Sequence, residues 1–216
     1  SGSDGNGYVL ASQQGHHITE IHPSLTKMTV DAPYLKALDG TKIHAIVSLW
    51  AKGALLQQEE GDFLWTDYGV SGPTILQLSR LATRKFYQHQ PLELHVNVLP
   101  ELTPSNLYDR FSRMGDKPIG QCLIGLIHKR MIPVVLKSLD ISSSVLVDAL
   151  SKEQQSKLIK FLFDWPLSIT GFKSYDDAQA TIGGVFVDEI NARTLASKLV
   201  KVLYFSGEII DIDGLC

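Results

Sequence analysis

The stretch PLELHVNVLPELTPSNLYDRFSRMG, residues 91–115, changes its hydrophobic period partway along. In its first part Leu92, Leu94, Val96 and Val98 alternate with Glu93, His95 and Asn97, the period of a strand with one buried face. In its second part Leu107, Phe111 and Met114 fall on one face at helical spacing. Thr103 is placed to cap that helix, Pro104 suits its first position, and Gly115 is placed to close it. A chain that passes from strand to helix here and returns to strand later is α+β.

Working upstream, His22 to about Leu102 reads as short β-branched and aromatic runs separated by turns, TKIHAIVSLWAKG (41–53) among them. In EEGDFLW (59–65), Gly61-Asp62 between strand-like flanks predicts a hairpin turn. Ahead of this region, residues 2–15 read as a glycine loop and a short helix, opened by Tyr8, Val9 and Leu10 and closed by a left-handed Gly15. Downstream, helices are predicted over 118–131, 133–139 and 151–163, the last opened by Ser151 and Gln154 in capping-box spacing. Beyond DWPLSITGF (164–172), strand patterns resume in AQATIGGVFVDEI (178–190) and KVLYFSGEI (201–209), so a helical block stands inserted between β segments.

Composition narrows the function classes. The chain has 216 residues, 44% of them hydrophobic and 20% charged, ordinary for a folded soluble protein. A formal net charge of -3 supplies no general attraction for nucleic acid or an anionic membrane, and His128-Lys129-Arg130 reads as a solvated helix face. The longest apolar run, 119–136, is interrupted by that cluster and by Pro133, so no membrane span is expected. The opening residues lack the basic and apolar parts of an export signal, and two cysteines, Cys122 and Cys216, make no disulfide framework; a reducing, cytoplasmic setting is expected. Seven histidines show no metal-ligand spacing, and no nucleophile elbow is present.

Four islands carry candidate chemistry. Gly2, Gly5 and Gly7 could bring backbone N–H groups to a phosphate or cofactor, or could be an ordinary flexible lead into a helix. In TDYGVSGPTILQLS (66–79), Ser71 or Gly72 sits at a helix N-cap before Pro73, either as a plain cap or presenting N–H groups to an acceptor. Gly183-Gly184 in a strand pattern marks a bulge or a close approach, to another backbone or to a ligand. In SGEIIDIDG (206–214), Glu208 follows an apolar Leu203-Tyr204-Phe205 pattern read as a buried strand, which would aim its carboxylate off the sheet edge to accept sugar-type hydroxyls.

Together these islands resemble one family. GSDGNGY (2–8), TDYGVSGPTILQLS and ATIGGVFVDEINARTLASKLVKVLYFSGEIIDIDG (180–214) are similar, in order and spacing, to motifs of the BaiN-type predicted flavoproteins, the NAD(P)/FAD-dependent oxidoreductases also called aminoacetone oxidase-like. Asp4 and Asn6 depart from that pattern, as do Leu195 and Ala196. The resemblance implies a β-barrel-like domain (21–102 and 166–192) with an inserted all-helical domain (103–165). Short remnants of a split Rossmann-type FAD domain would flank them, at 1–20 and, as a return strand, 193–216. It implies FAD in the parent protein, NAD(P)H as a further cofactor and a small-molecule substrate, with no flavin tightly held by this chain alone and no nucleic-acid or membrane partner. It assigns Gly207 and Glu208 to the ribityl chain, Asp211, Asp213 and Gly214 to the flavin pyrimidine, and Gly2, Ser3, Gly5 and Gly7 to the opposite side. Ser71, Gly72, Gly183 and Gly184 are its flavin-side or substrate-side candidates. The rival reading is a non-catalytic barrel with a helical cap that docks a protein or an RNA.

Overall fold

The computed structural model describes residues 3–212, so Gly2, Asp213 and Gly214 lie outside the described residues. The fold is α+β. Six antiparallel strands close a barrel in the order β2 (Met28–Val30), β5 (Gly69–Ser71), β4 (Ala54–Thr66), β3 (Lys42–Ala51), β6 (Leu92–Asn97) and β7 (Trp165–Phe172). Closure removes exposed edges, and a barrel this small must be filled by side chains. Alternation supplies them: Leu92, Leu94 and Val96 of β6 and Trp165, Leu167 and Ile169 of β7 are buried while their neighbours are not. Trp65 and Trp165 meet at 5.1 Å between ring centroids, and the Trp165 indole N–H donates to the Tyr34 hydroxyl at 2.7 Å.

The hairpin turn is not at Gly61-Asp62. β4 runs straight through both residues, which pair with Ala45 and His44 of β3. The chain reverses instead at Lys52-Gly53, where φ values of 50° and 76° give the double left-handed turn that matches strand twist. Gly61 adopts φ 149° within β4, a backbone conformation that side chains rarely take, and α3 (Pro73–Tyr87) starts against it, with Thr74 Cγ2 at ordinary contact distance, 3.5 Å, from a built Cβ.

Between β6 and β7 the chain is helical. α4 (Pro104–Arg113) opens with a reciprocal cap between Thr103 and Asn106, and α7 (Lys152–Phe163) with one between Ser151 and Gln154. Gly115 does not close α4 as a left-handed cap; a Cβ there would lie 2.1 Å from Asp148 Oδ1, so its role is close packing. The helix expected over 118–131 is broken. Only α5 (Ile119–Cys122) forms, Gly125 turns the chain at φ 79°, and α6 (Met131–Ser138) starts beyond Arg130. His128-Lys129-Arg130 is therefore an exposed turn, from which Arg130 donates to the Asp39 carbonyl at 2.8 Å. Leu107, Phe111, Cys122, Met131 and Leu158 join the barrel residues in one continuous core. Burial pushes the Cys122 thiol above its ordinary range, as expected of a packing residue.

The last segment is largely irregular. A short ladder pairs β1 (His22–Ser24) with β8 (Ala180–Ile182), after which only isolated bridges occur. Leu203-Tyr204-Phe205 does not form a strand: Tyr204 bridges Ala196 alone and is exposed, and Phe205 is buried with Ala11, Val185, Ile190 and Ile210 in a second, small core. The pairing stops at this one bridge, flanked by Ser197 N–H on the Leu203 carbonyl at 2.8 Å and Phe205 N–H on the Leu195 carbonyl at 2.9 Å.

Candidate functional site

α1 (Asn6–Gln13) packs on residues 205–210 through that small core. Gly5, with φ 79°, leads into α1, and the loop before it is held by its own side chains: Ser3 Oγ accepts from Gly5 N–H at 3.1 Å and Asp4 Oδ1 accepts from Asn6 N–H at 3.1 Å. Gly15, φ 89°, follows the helix end as the sequence indicates.

Gly183 and Gly184 are where the returning chain crosses other backbone. A Cβ on Gly183 would stand 2.0 Å from the Glu20 carbonyl oxygen, and one on Gly184 2.5 Å from that of Ile209. The crossing is stitched by main chain: Val185 N–H donates to the Ile209 carbonyl at 2.7 Å and Asp211 N–H to the Val185 carbonyl at 3.1 Å. The Thr19 hydroxyl accepts from Gly184 N–H at 2.9 Å and donates to the Asp211 carboxylate at 2.9 Å. The close approach made by the paired glycines is thus to backbone, and Asp211 is engaged in holding it.

A second anchor escaped sequence reasoning. His16 is buried, with Nδ1 2.9 Å from Glu189 Oε2, Nε2 2.8 Å from Ser197 Oγ and the Phe205 ring edge-on at 4.8 Å. The carboxylate, imidazole and hydroxyl follow the order of a nucleophilic triad. Ser197 Oγ, however, also accepts Leu199 N–H at 3.0 Å and Val200 N–H at 2.8 Å, which occupies both lone pairs an attacking oxygen would need. The cluster is a clasp that shapes residues 189–200.

These contacts place two distant pieces of sequence around one groove of about 530 Å³. Ser3, Asp4, Gly5 and Gly7 line one side, and Glu208 and Ile209 line another. Tyr8, Ile21, Tyr175 and Thr181 complete it. Glu208 sits on a 3-10 turn, Gly207–Ile209, with its side chain exposed rather than at the end of a strand. Tyr8, Tyr175 and Thr181 were not legible as site residues, because their placement depends on how β8 and the 173–179 loop fold back.

Ser71 and Gly72 are not among the residues that line this groove. Gly72 caps α3 at φ 103°, where a Cβ would lie 2.5 Å from the Asp62 carbonyl oxygen, so the start of α3 packs closely on β4 only with glycine there. Among the described residues, no three His, Cys, Asp or Glu side chains converge as metal ligands would, and no helix is long and apolar enough to cross a membrane.

Comparison with known proteins adds the lineage. The profile of the family described as HI0933-like protein barrel and H2TH domain matches residues 22–180. A 3-dehydro-bile acid delta(4,6)-reductase of Clostridium scindens is 32% identical over 220 residues, covering 100% of this chain and 54% of the relative. Ribosomal RNA dihydrouridine synthases of Escherichia coli and Haemophilus influenzae are 28% and 26% identical, each over 96% of this chain and 50% of the relative. The chain thus spans about half the length of these curated relatives.

Proposed function

This chain belongs to the HI0933-like family, and on that premise we propose that the complete protein is an FAD-dependent oxidoreductase, reduced by NAD(P)H, that saturates a carbon–carbon double bond conjugated to a carbonyl. The activities named for the relatives, reduction of a delta(4,6) bile acid and formation of dihydrouridine, both add hydrogen across such a bond. The observation that carries the reading is the groove in which the Ser3–Gly7 loop and Glu208 face one ligand space.

The residues present fit part of FAD. Both charged groups of the groove, Asp4 and Glu208, are acidic. Carboxylates accept hydroxyl hydrogens and repel phosphate, so the groove suits a polyol such as the ribityl chain, and the diphosphate belongs elsewhere. Glu208 would hold the ribityl hydroxyls, and Ser3 offers a further hydroxyl contact. Ile21, Ile209 and the rings of Tyr8 and Tyr175 supply apolar surface that keeps water from the ligand. Bound FAD would supply the hydride; the protein's part is binding, orientation and exclusion of solvent. The barrel and the helical block would cover the flavin and shape the substrate pocket.

We place the substrate among small molecules because the chain carries a net charge of -3, and the protein in the cytoplasm. The test is anaerobic. The complete protein should show a visible flavin band that NAD(P)H bleaches and a conjugated cyclic ketone restores. A protein without such a band, or a band that no conjugated ketone restores, contradicts the proposal. Restoration by uridine-containing ribosomal RNA alone moves the substrate to nucleic acid.

A further inference from the structure

Tyr8 occupies the third position of α1, and its phenol oxygen lies 3.1 Å from Thr181 Oγ1 and 3.4 Å from the Glu208 main-chain carbonyl oxygen. A phenol has one proton to give. Both contacts are satisfied when the Thr181 hydroxyl donates to Tyr8 and Tyr8 donates to the Glu208 carbonyl. Thr181 is itself fixed by pairing opposite Pro23 in the β1–β8 ladder. One hydroxyl therefore joins α1, a strand and the turn that carries Glu208, one of the two acidic residues of the groove.

The other restraints on the turn act mainly on its C-terminal side. Gly207 has φ 79° with open space around its Cα, and the Glu208 side chain is exposed. Beyond Tyr8, the turn is held by Ile210 N–H on the Gly207 carbonyl at 3.2 Å, by the Val185 N–H on the Ile209 carbonyl, by Asp211 N–H on the Val185 carbonyl, by burial of Ile210 in the small core, and by contact of Ile209 with Gly7, where a Cβ would stand 3.0 Å from Ile209 Cδ1. Loop and turn touch on one side, and the Tyr8 hydroxyl ties them on the other.

We infer that Tyr8 is a positioning residue of the groove, setting the spacing between the Ser3–Gly7 loop and the Glu208 carboxylate; the inference rests on the flavin reading above. It predicts that the Tyr8 hydroxyl acts on the ligand through Glu208, while the Tyr8 ring remains part of the groove wall.

The experiment uses the complete protein as wild type, Tyr8→Phe, Thr181→Val, Glu208→Ala and the Tyr8→Phe/Glu208→Ala double variant. FAD affinity is measured by fluorescence titration of the apoprotein, and amide exchange is followed over residues 207–210 without flavin. Tyr8→Phe should weaken FAD binding about tenfold, the size of one lost hydrogen bond to a carbonyl, and raise exchange across the turn severalfold. Thr181→Val should act in the same direction and less. The double variant should bind no worse than Glu208→Ala alone, because moving a turn that has lost its carboxylate costs nothing further. Additive losses, or wild-type affinity in Tyr8→Phe, overturn the inference and leave the flavin reading standing. A wild-type protein that binds no FAD overturns both.

Discussion

Gly184 passes Ile209 so closely that a Cβ on it would lie 2.5 Å from the Ile209 carbonyl oxygen, and its φ of 153° is one that side chains rarely adopt. This crossing carries the return chain to the groove, and the close backbone approach at Gly183 and Gly184 is possible only without side chains.

Gly184→Ala should therefore cost about 2–4 kcal/mol, from backbone strain plus a forced displacement of Ile209. Gly40→Ala is the control: Gly40 has φ 75° with nothing within 4 Å of a built Cβ, and should lose only about 1 kcal/mol. Urea unfolding of both variants measures the difference. Equal losses would show that the crossing has slack.

His16→Ala leaves the Glu189 carboxylate and the Ser197 hydroxyl without their buried partner. A loss of about 2–3 kcal/mol is expected, with amide exchange rising first across 189–200. Exchange that rises evenly over the whole chain would contradict the clasp.

The loop that presents Tyr175 to the groove is tied by Lys27 Nζ to Asp177 Oδ1 at 2.8 Å. The hydrogen bond to Lys27 lowers the Asp177 carboxyl below its ordinary range, and the bond to Asp177 raises Lys27. The Asp177 contribution is present above the unfolded carboxyl pKa, about 4, and disappears as pH falls through the lowered value; the Lys27 contribution is present below about 10 and disappears as pH rises through the raised one. Asp177→Asn should be slightly destabilising at pH 7 and neutral in strong acid. Unfolding curves at several pH values test this, and a loss that persists in acid would assign the effect to packing.

Lys52 sits at the first left-handed position of the β3–β4 hairpin, where a long side chain has no advantage and asparagine is favoured. Lys52→Asn should stabilise the protein by about 0.5–1 kcal/mol, measured by thermal unfolding. A destabilised variant would mean that the turn is not of this type.

Strand and helix content was legible wherever a period ran long enough: Leu92–Asn97 by alternation, and both capped helices by Thr103 and Ser151. The hairpin was misplaced because Gly61-Asp62 looks like a turn, whereas Lys52-Gly53 carries the left-handed angles; local glycine pattern cannot reveal which helix will pack on a strand. Leu203–Phe205 has the composition of a strand, but among the described residues its pairing with 195–197 does not extend beyond a single bridge. In the site, Ser3, Gly5, Gly7 and Glu208 do come together. Their shared motif hinted at that only through resemblance, since nothing local links residues at opposite ends of a chain. Tyr8 and Thr181 were invisible for the same reason, being 173 residues apart.

On the reading above, flavin is held on the Glu208 side of this groove. The decisive measurement is the visible absorbance of the complete protein, wild type beside Glu208→Ala, each incubated with FAD and desalted. The account predicts a yellow wild type and a variant stripped of most of its flavin, with unchanged thermal unfolding of the two apoproteins. A Glu208→Ala protein that keeps a full flavin complement, or a wild type that stays colourless, would contradict it.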